Sequence, residues 1–354
     1  MDATASDHGS PSAEAGRGAS PDTHADAGGD TGGDTMIRLS GVGKTYPDGT
    51  VAVHELDLDV RRGEMVCLVG PSGCGKSTTL KMINRLIEPT TGRIWLDGTD
   101  VTDSDPVQLR RGIGYVIQQI GLFPHQKIIT NVMTVPLLYG ESKSTARARA
   151  RELMETVGLD PDQYADRYPH QLSGGQRQRV GVARALAANP PVLLMDEPFG
   201  AVDPVVRTKL QDEFLRLQRE LGKTVVLVTH DIDEAVRMGD RVAVFATGGR
   251  LAQFATPMEL LAHPADDFVA DFVGSTRGLR RLAVTPLREE HLEPLDGVQG
   301  GQLGAAIDLD STLEEALAAM LRDDRPMIGV KRGAAFVGVL TPAGVHRALR
   351  ESLR

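Results

Sequence analysis

Residues 70–77 have the sequence Gly-Pro-Ser-Gly-Cys-Gly-Lys-Ser, and they follow the apolar run Met65-Val-Cys-Leu-Val69. A continuous apolar run that ends in glycine is typical of a strand buried on both faces. The residues after the loop, from Lys76 to Ile87, are predicted to form a helix. The order of strand, loop and helix is the context in which the pattern G-x-x-x-x-G-K-[ST] binds phosphate through backbone N–H groups. We therefore predict a phosphate-binding loop.

In such a loop, Lys76 is expected to reach the β- and γ-phosphates of ATP, and the Ser77 hydroxyl is expected to ligate Mg²⁺. The glycines let the backbone N–H groups turn toward the phosphates, and the helix N-terminus adds positive potential. The residues predicted to contact the nucleotide here are Gly70, Pro71, Ser72, Gly73, Cys74, Gly75, Lys76, Ser77 and Thr78.

The composition excludes several classes of function. The chain of 354 residues has a net charge of -9, and its first 35 residues hold seven acidic side chains against one basic one. An acidic chain without a basic block disfavours nucleic acid as the main partner. No apolar run approaches the roughly 18 residues that span a bilayer, and the N-terminus does not resemble a secretory signal. Any role at a membrane is therefore expected to come through a partner protein.

The N-terminal residues 1–35 are Gly, Ala, Ser, Asp and Thr with almost no large apolar side chain, which predicts a disordered acidic tail. The two cysteines, Cys67 and Cys74, lie beside and within the phosphate loop. A disulfide there would tether the loop, so we expect a reduced, cytoplasmic chain.

Residues 36–273 have the pattern of an α/β domain. Apolar alternation at residues 37–39, 51–53 and 56–60 predicts antiparallel strands with one wet face. Further strands are expected at residues 94–96, 113–117, 192–195, 225–228 and 242–245, and helices at 131–158 and 176–188. This order predicts a parallel sheet that carries an antiparallel β layer at its N-terminal side.

The chain after residue 273 changes character. Residues 274–300 are charged and are predicted to be an irregular linker. Residues 301–354 are predicted to form a small α+β unit of order β-α-β-β-α, with strands near 304–307, 327–330 and 336–340 and helices at 312–322 and 342–353. Its sequence Gly338-Val-Leu-Thr341 before a helix resembles a single CBS motif. Such a unit either senses ionic strength or a nucleotide, or it only pairs across a dimer.

Two acidic residues, Asp196 and Glu197, end the predicted strand at 192–195. Adjacent side chains at a strand end point in different directions. One carboxylate can therefore hold Mg²⁺ while the other faces the attacking water as a general base. We assign the metal to Asp196 and the base to Glu197; the alternative is a pair of solvated acids before the turn at Pro198.

The sequence Leu172-Ser-Gly-Gly-Gln176 precedes a predicted helix, so it offers a second anion site at a helix N-terminus. Its predicted contacts are Ser173, Gly174, Gly175 and Gln176. Because the chain already has one phosphate loop, a second phosphate site implies the nucleotide of another chain. The basic residues that follow are interpreted as the charged face of a helix.

In this order and spacing the motifs resemble the nucleotide-binding domain of ATP-binding cassette (ABC) proteins, which are P-loop NTPases. The resemblance covers Met36 to about Val273 and implies a helical subdomain at about 119–172. It implies that two chains close over two ATP molecules. It also implies that His230 senses the γ-phosphate and that Tyr46 stacks on adenine. Residues 200–203 correspond to a dimer-contact loop that usually has the sequence Ser-Ala-Leu-Asp, and here Asp203 is kept.

The same resemblance implies a glutamine that links Mg²⁺ to the contact with the transporter. Gln118 follows the strand at 114–117 and Gln119 is next to it. We assign this role to Gln118, because Leu122-Phe-Pro-His125 then falls at the usual distance. The choice depends on register alone.

Three further segments and the C-terminal unit indicate a particular group of ABC proteins. Residues 82–89, 118–125 and 229–235, with the CBS-like unit, are similar to uptake ATPases for glycine betaine, carnitine and choline. That resemblance implies a peripheral subunit at the cytoplasmic face of the membrane, paired with a second ATPase copy. Its further partners are integral membrane permease subunits and, indirectly, an extracytoplasmic substrate-binding protein. The alternatives are an importer for another solute, an exporter, and a non-transport ABC ATPase acting on DNA or ribosomes. The last class usually carries coiled-coil, zinc or duplicated-cassette insertions, and none is visible in the sequence.

Overall fold

The computed structural model describes residues 34–117, 121–200, 202–274, 277–295 and 306–352. The predicted tail lies outside the described residues except for Asp34 and Thr35, and Thr35 already begins the first strand. Gln118 and Gln119 also lie outside them. Within these ranges, no helix combines the length and the apolar character needed to cross a bilayer.

The strands in chain order are β1 (Thr35–Thr45), β2 (Val51–Arg61), β3 (Met65–Val69), β4 (Thr91–Leu96), β5 (Thr99–Asp100), β6 (Ile113–Val116), β7 (Val192–Asp196), β8 (Thr224–Val228), β9 (Arg241–Ala246), β10 (Arg250–Ala255), β11 (Ile307–Asp308), β12 (Ile328–Arg332) and β13 (Ala335–Leu340). The helices are α1 (Lys76–Ile83), α2 (Pro106–Arg111), α3 (Ile128–Leu138), α4 (Lys143–Thr156), α5 (Pro161–Tyr164), α6 (Gly174–Leu186), α7 (Pro204–Leu221), α8 (Ile232–Met238), α9 (Pro257–Ala262), α10 (Asp267–Val273), α11 (Arg277–Val284), α12 (Leu313–Arg322) and α13 (Pro342–Glu351). Short 3₁₀ helices lie at Pro169–Gln171 and Glu289–His291.

The central sheet has the strand order β10-β9-β3-β8-β7-β6, and only β10 runs antiparallel to its neighbour. Its inner strands β3, β7 and β8 are buried along their whole length. In β3, Met65 and Cys67 face one hydrophobic core while Val66 and Leu68 face another. Successive side chains of a strand point to opposite faces, so two cores require a continuous apolar run. The predicted parallel sheet is confirmed.

A second sheet of order β2-β1-β4-β5 is antiparallel. Its buried residues and those of α1 pack on one face of the central sheet in a single core. Buried and exposed residues alternate along much of β2, so the other face of this sheet is exposed to solvent. The predicted antiparallel layer is confirmed.

The opposite face of the central sheet is covered by a core that includes residues of α3, α4, α6 and α7. The expectation of one helical stretch over residues 131–158 was wrong. Gly140 has φ 86°, a left-handed conformation that ends a helix, and the Ser142 side chain then accepts a hydrogen bond from Thr145 N to begin α4. The helix α1 also ends earlier than predicted, because Arg85 has φ 47°.

The C-terminal residues have the predicted order β-α-β-β-α. Strands β11 and β12 pair in parallel, β12 and β13 pair antiparallel, and α12 and α13 complete a third hydrophobic core. The likeness of this unit to a CBS motif stays a prediction.

The segment predicted as an irregular linker differs from the expectation, because its residues 277–284 form helix α11. Leu282 and Leu287 of this segment belong to the third core. The charged side chains that suggested a linker take part in packing. Arg280 pairs with Asp233 of α8, and Arg281 is 7% exposed and donates to Leu349 O and Ser352 Oγ at the end of α13. Buried arginine stems cover apolar surface while the guanidinium finds acceptors.

Candidate active site

The phosphate loop joins β3 to α1, as the sequence predicted. Lys76, the first residue of α1, is only 6% exposed. Its Nζ donates to Gly70 O at 2.8 Å and to Pro71 O at 2.9 Å. The ammonium is therefore held inside the loop, beside the N-terminal N–H groups of the helix, where an anion is attracted.

Gly73 and Gly75 of this loop have left-handed backbone conformations, with φ angles of 78° and 96°. A Cβ atom on Gly75 would lie 2.1 Å from Ala52 O, whereas a Cβ on Gly73 would meet nothing within 4 Å. Both substitutions to alanine carry backbone strain of roughly 1–2 kcal/mol, but only Gly75→Ala also collides with β2. We expect Gly75→Ala to weaken binding of a fluorescent ATP analogue at least about tenfold more than Gly73→Ala, which corresponds to about 1.4 kcal/mol. Equal losses would show that β2 moves aside and that the close packing is unimportant.

Ser77 and Asp196 meet at the carboxyl end of β7, where Ser77 Oγ donates to Asp196 Oδ1 at 2.8 Å. Burial raises the pKa of Asp196 from its ordinary value. Burial, together with the Asp196 charge, raises the pKa of the neighbouring Tyr115 to about 12. A hydroxyl and a carboxylate form the hard oxygen set that Mg²⁺ prefers, so these two residues fit the ion.

Glu197 follows β7 in a left-handed backbone conformation, with φ 46°. Its N–H donates to Val228 O at 2.9 Å, which fixes the turn against the end of β8. Its Oε2 lies 3.3 Å from His230 Nδ1, and the Glu197 side chain is 22% exposed. Residues held at such φ values cost on the order of 1–3 kcal/mol and concentrate at functional sites. The structure thus brings the predicted base and the predicted γ-phosphate sensor together.

Two residues that sequence reasoning missed fix the backbone around His230. Thr229 Oγ1 donates to Glu234 Oε2 at 2.6 Å and accepts from Asp231 N at 3.1 Å. Glu234 is 7% exposed, and burial raises its pKa. Asp231 in turn caps α8 by accepting from Asp233 N and Glu234 N. A carboxylate three residues after the cap of a short helix is a capping pattern, so the sequence signal was present.

The second predicted anion site lies at the N-terminus of α6. Ser173 Oγ accepts from Gln176 N at 3.3 Å, and Gln176 Oε1 accepts from Ser173 N at 2.9 Å, which completes a capping box. Residues 173–176 and Asp203 line a cleft of about 490 Å³ with Tyr164, whose hydroxyl accepts from Gln176 Nε2 at 3.0 Å. Among the described residues that line this cleft, none belongs to Gly70–Ser77.

Tyr46 lies in the turn between β1 and β2, where its N–H donates to Thr50 O at 2.9 Å. The ring is half-buried, and Lys44 Nζ lies 5.5 Å from its centroid. This places a cation and an aromatic face side by side. The remaining predicted site residue, Gln118, and its alternative Gln119 lie outside the described residues.

A groove of about 740 Å³ lies beside the segment that follows Gln118. Its lining includes side chains that are large, apolar and at least one third exposed: Leu86, Val107, Ile117, Phe123, Leu138 and Tyr139. Asn131, which is fully buried, holds this segment in place: its Oδ1 accepts from Phe123 N at 2.7 Å, and its Nδ2 donates to Phe123 O at 3.2 Å. A polar residue in the apolar sequence Ile-Ile-Thr-Asn-Val-Met was the signal that sequence reasoning passed over.

Known proteins share both the motifs and the fold. A family model described as "ABC transporter" matches residues 53–200. The chain is 49% identical over 288 residues to the choline transport ATP-binding protein OpuBA of Bacillus subtilis, covering 81% of this chain and 73% of that protein. It is 55% identical over 242 residues to the glycine betaine/carnitine/choline transport ATP-binding protein OpuCA of the same organism, covering 68% of this chain and 63% of that protein.

Among solved structures, the dimeric bacterial ABC transporter cassette MJ0796 superposes with a TM-score of 0.57 at 39% identity, covering 63% of this chain and 99% of that chain. The match to OpuBA extends well beyond the phosphate loop and covers more than two thirds of both proteins. This chain therefore belongs to the family of ABC transporter ATP-binding proteins, which are ATP hydrolases coupled to transport.

Proposed function

We propose that this chain is the ATP-hydrolysing subunit of an importer for a quaternary-amine osmoprotectant of the glycine betaine, carnitine or choline type. The observation that carries the proposal is the similarity to two transport proteins named for these solutes, at 49% and 55% identity. The solute itself is expected to pass through membrane subunits and not to touch this chain.

Two copies of the chain are proposed to close over two ATP molecules. Each ATP would lie between residues 70–78 of one copy and residues 173–176 of the other. The Ser173 hydroxyl already uses its oxygen as an acceptor in the helix cap, so its hydrogen is free to donate to a phosphate oxygen. Asp203, in the same cleft, is assigned to the contact between copies, and Tyr46 to the adenine ring.

Hydrolysis is assigned to the pair at the end of β7 and β8. Glu197 accepts the proton of the attacking water. His230, 3.3 Å from the Glu197 carboxylate, orients that carboxylate and binds the γ-phosphate. Lys76 neutralises charge on the β- and γ-phosphates. Ser77, Asp196 and Gln118 would hold Mg²⁺, which neutralises phosphate charge when bound.

The exposed apolar groove is proposed as the surface on which an integral membrane permease subunit docks. Large exposed apolar patches mark interaction sites, and this one is lined by Ile117 and Phe123, which lie on either side of Gln118 in the sequence. Asn131 of α3 binds the backbone of Phe123, and both Phe123 and α3 line the groove. Movement of the segment after Gln118 would therefore be transmitted to the subunit docked in the groove. In this proposal the chain lies at the cytoplasmic face of the membrane, and the permease connects it to an extracytoplasmic substrate-binding protein.

The domain arrangement that goes with this function is a cassette at residues 36–273 followed by a CBS-like unit at 301–354. The helices at 128–171 form the proposed helical subdomain. The helix α11 joins the two parts through contacts with α8, α9 and α12.

The test is uptake of labelled glycine betaine after a salt upshift in cells of the source organism that lack this chain. We expect the wild-type chain to restore uptake and Leu138→Glu to fail, because a carboxylate in the apolar groove prevents docking. Leu138 is 74% exposed, so the purified variant should keep its fold and its basal ATPase rate.

The matched control is Leu321→Glu, since Leu321 is 73% exposed but lies on α12 in the C-terminal unit. It is expected to restore uptake as the wild type does. If Leu138→Glu also restores full uptake, the groove is not the docking surface. If the wild-type chain restores uptake of none of glycine betaine, carnitine and choline, the substrate assignment is wrong.

A further inference from the structure

Three potential metal ligands converge where the segment after α11 meets the last helix, α13, and none of them is a predicted nucleotide contact. They are Glu290, His291 and Glu351, whose ligand atoms all lie within 4.8 Å of one another. His291 Nε2 is 3.3 Å from Glu351 Oε2 and 3.9 Å from Glu290 Oε1. These separations are close to those between neighbouring ligands of one ion, because Zn–N and Zn–O bonds of about 2.0–2.2 Å place tetrahedral ligands about 3.3–3.6 Å apart.

The histidine of this cluster is buried, and one of its two ring nitrogens faces the carboxylates. Its side chain is 5% exposed. Among the described residues, Nδ1 has no hydrogen-bond partner. Nε2 lies 3.3 Å from one carboxylate and 3.9 Å from the other. Nε2 and the two carboxylates therefore present three ligand atoms to one point, where a divalent cation could bind all of them.

The backbone holds His291 in position without help from its ring. His291 N donates to Arg288 O at 3.0 Å within the short 3₁₀ helix, and Glu293 pairs with Val339 of β13 through two backbone hydrogen bonds of 2.8 and 3.0 Å. The ring is therefore presented by rigid neighbours, as a binding site requires.

The other end of the cluster is held just as firmly. Glu351 is the last residue of α13, and Arg281 donates to Leu349 O and to Ser352 Oγ on either side of it. Glu351 is 47% exposed and Glu290 is 61% exposed, so both carboxylates can turn toward an ion that enters from solvent. Glu290 currently faces Arg288 Nη1 at 3.4 Å, a surface pair of the kind that is worth only about 0–1 kcal/mol.

We propose that Glu290, His291 and Glu351 form a site for a divalent transition-metal ion of the Zn²⁺ type, with water completing the coordination. One imidazole and two carboxylates suit Zn²⁺ better than Mg²⁺ or Ca²⁺, which favour oxygen ligands alone. The ion joins the segment after α11 to the last helix of the chain. Its site is independent of the proposed transport function.

The experiment is a competition titration of Zn²⁺ between a colorimetric chelator and the full chain, without an affinity tag and without nucleotide. We expect one high-affinity Zn²⁺ per wild-type chain and a loss of affinity of about tenfold or more in Glu351→Gln, since even outer-shell changes cost 10–100-fold. The matched control is His346→Gln, an exposed histidine on the same helix, which should bind as the wild type does.

A second readout uses Co²⁺ as a spectroscopic probe. Wild type and His346→Gln are expected to show visible d–d absorption that depends on His291, and both His291→Gln and Glu351→Gln are expected to lose it. Superimposable Zn²⁺ titrations of wild type and Glu351→Gln would overturn the proposal, and so would Co²⁺ spectra unchanged by either substitution. Because Glu351 is half exposed, its amide variant tests the site even if His291→Gln fails to fold.

Discussion

Replacing Glu197 with glutamine is expected to lower steady-state ATP hydrolysis by about 10²–10⁴-fold, the contribution of a positioned general base. The amide keeps the shape of the side chain and its place beside His230, 3.3 Å away, but it cannot take a proton from water. ATP binding should persist, because the phosphate contacts come from the loop at 70–78. The variant should therefore accumulate as an ATP-bound closed dimer, measured by size-exclusion chromatography with ATP and Mg²⁺.

The control for this substitution is Glu220→Gln, an exposed residue of α7 that pairs with Arg216 at 3.5 Å. It should hydrolyse ATP and dimerise as the wild type does. If Glu197→Gln still hydrolyses ATP rapidly, Glu197 is not the general base. Loss of ATP binding would instead show that the carboxylate has a structural role at its strained turn.

Replacing Ser173 with arginine is expected to abolish ATP-driven pairing and to reduce hydrolysis by at least about 10²-fold, as the loss of one preorganised phosphate donor does. The larger side chain fills the cleft of about 490 Å³ that the serine lines. It also removes the cap of α6, at a cost of about 1 kcal/mol. Binding of ATP to the isolated chain, through the phosphate loop, should be unchanged.

Mixed dimers decide whether Ser173 and Lys76 act on the same nucleotide from different chains. A dimer with Lys76→Ala in one copy and Ser173→Arg in the other keeps one intact site if the contacts are made between copies. A dimer with both substitutions in one copy then keeps none. In a Glu197→Gln background, we expect one trapped ATP in the first dimer and none in the second. The reverse result would place both contacts in one chain and overturn the sandwich arrangement.

The parts of the fold that the sequence predicted well are those in which local pattern and burial agree. The run Met65–Val69 is a strand with the predicted bounds, because burial on two faces leaves no room for polar side chains. The motif residues Ser77 and Asp196 were predicted to share one metal, and they lie within hydrogen-bond distance. Such motifs are informative because phosphate chemistry restricts both the residue types and their positions.

The parts that the sequence did not predict depend on long-range partners. Helix α11 was missed because its arginines suggested solvent, whereas Arg280 and Arg281 find acceptors on α8 and α13 that no local pattern displays. The break between α3 and α4 is an exception, because its signals are local: Gly140 is in a left-handed conformation and Ser142 caps α4. The clamp by Asn131 is visible only once its partners at residues 123–127 are placed.

The contact of α11 with α8 has a thermodynamic consequence. Arg280 of α11 pairs with Asp233 of α8, the helix that begins two residues after His230, the proposed γ-phosphate sensor. Because α11 also contacts α12, it links the C-terminal unit to this helix. Free energies of binding are state functions, so coupling between two sites is reciprocal. Suppose that a ligand of the C-terminal unit changes the packing of α11 on α8 and thereby changes the affinity for ATP by some factor. ATP must then change the affinity for that ligand by the same factor.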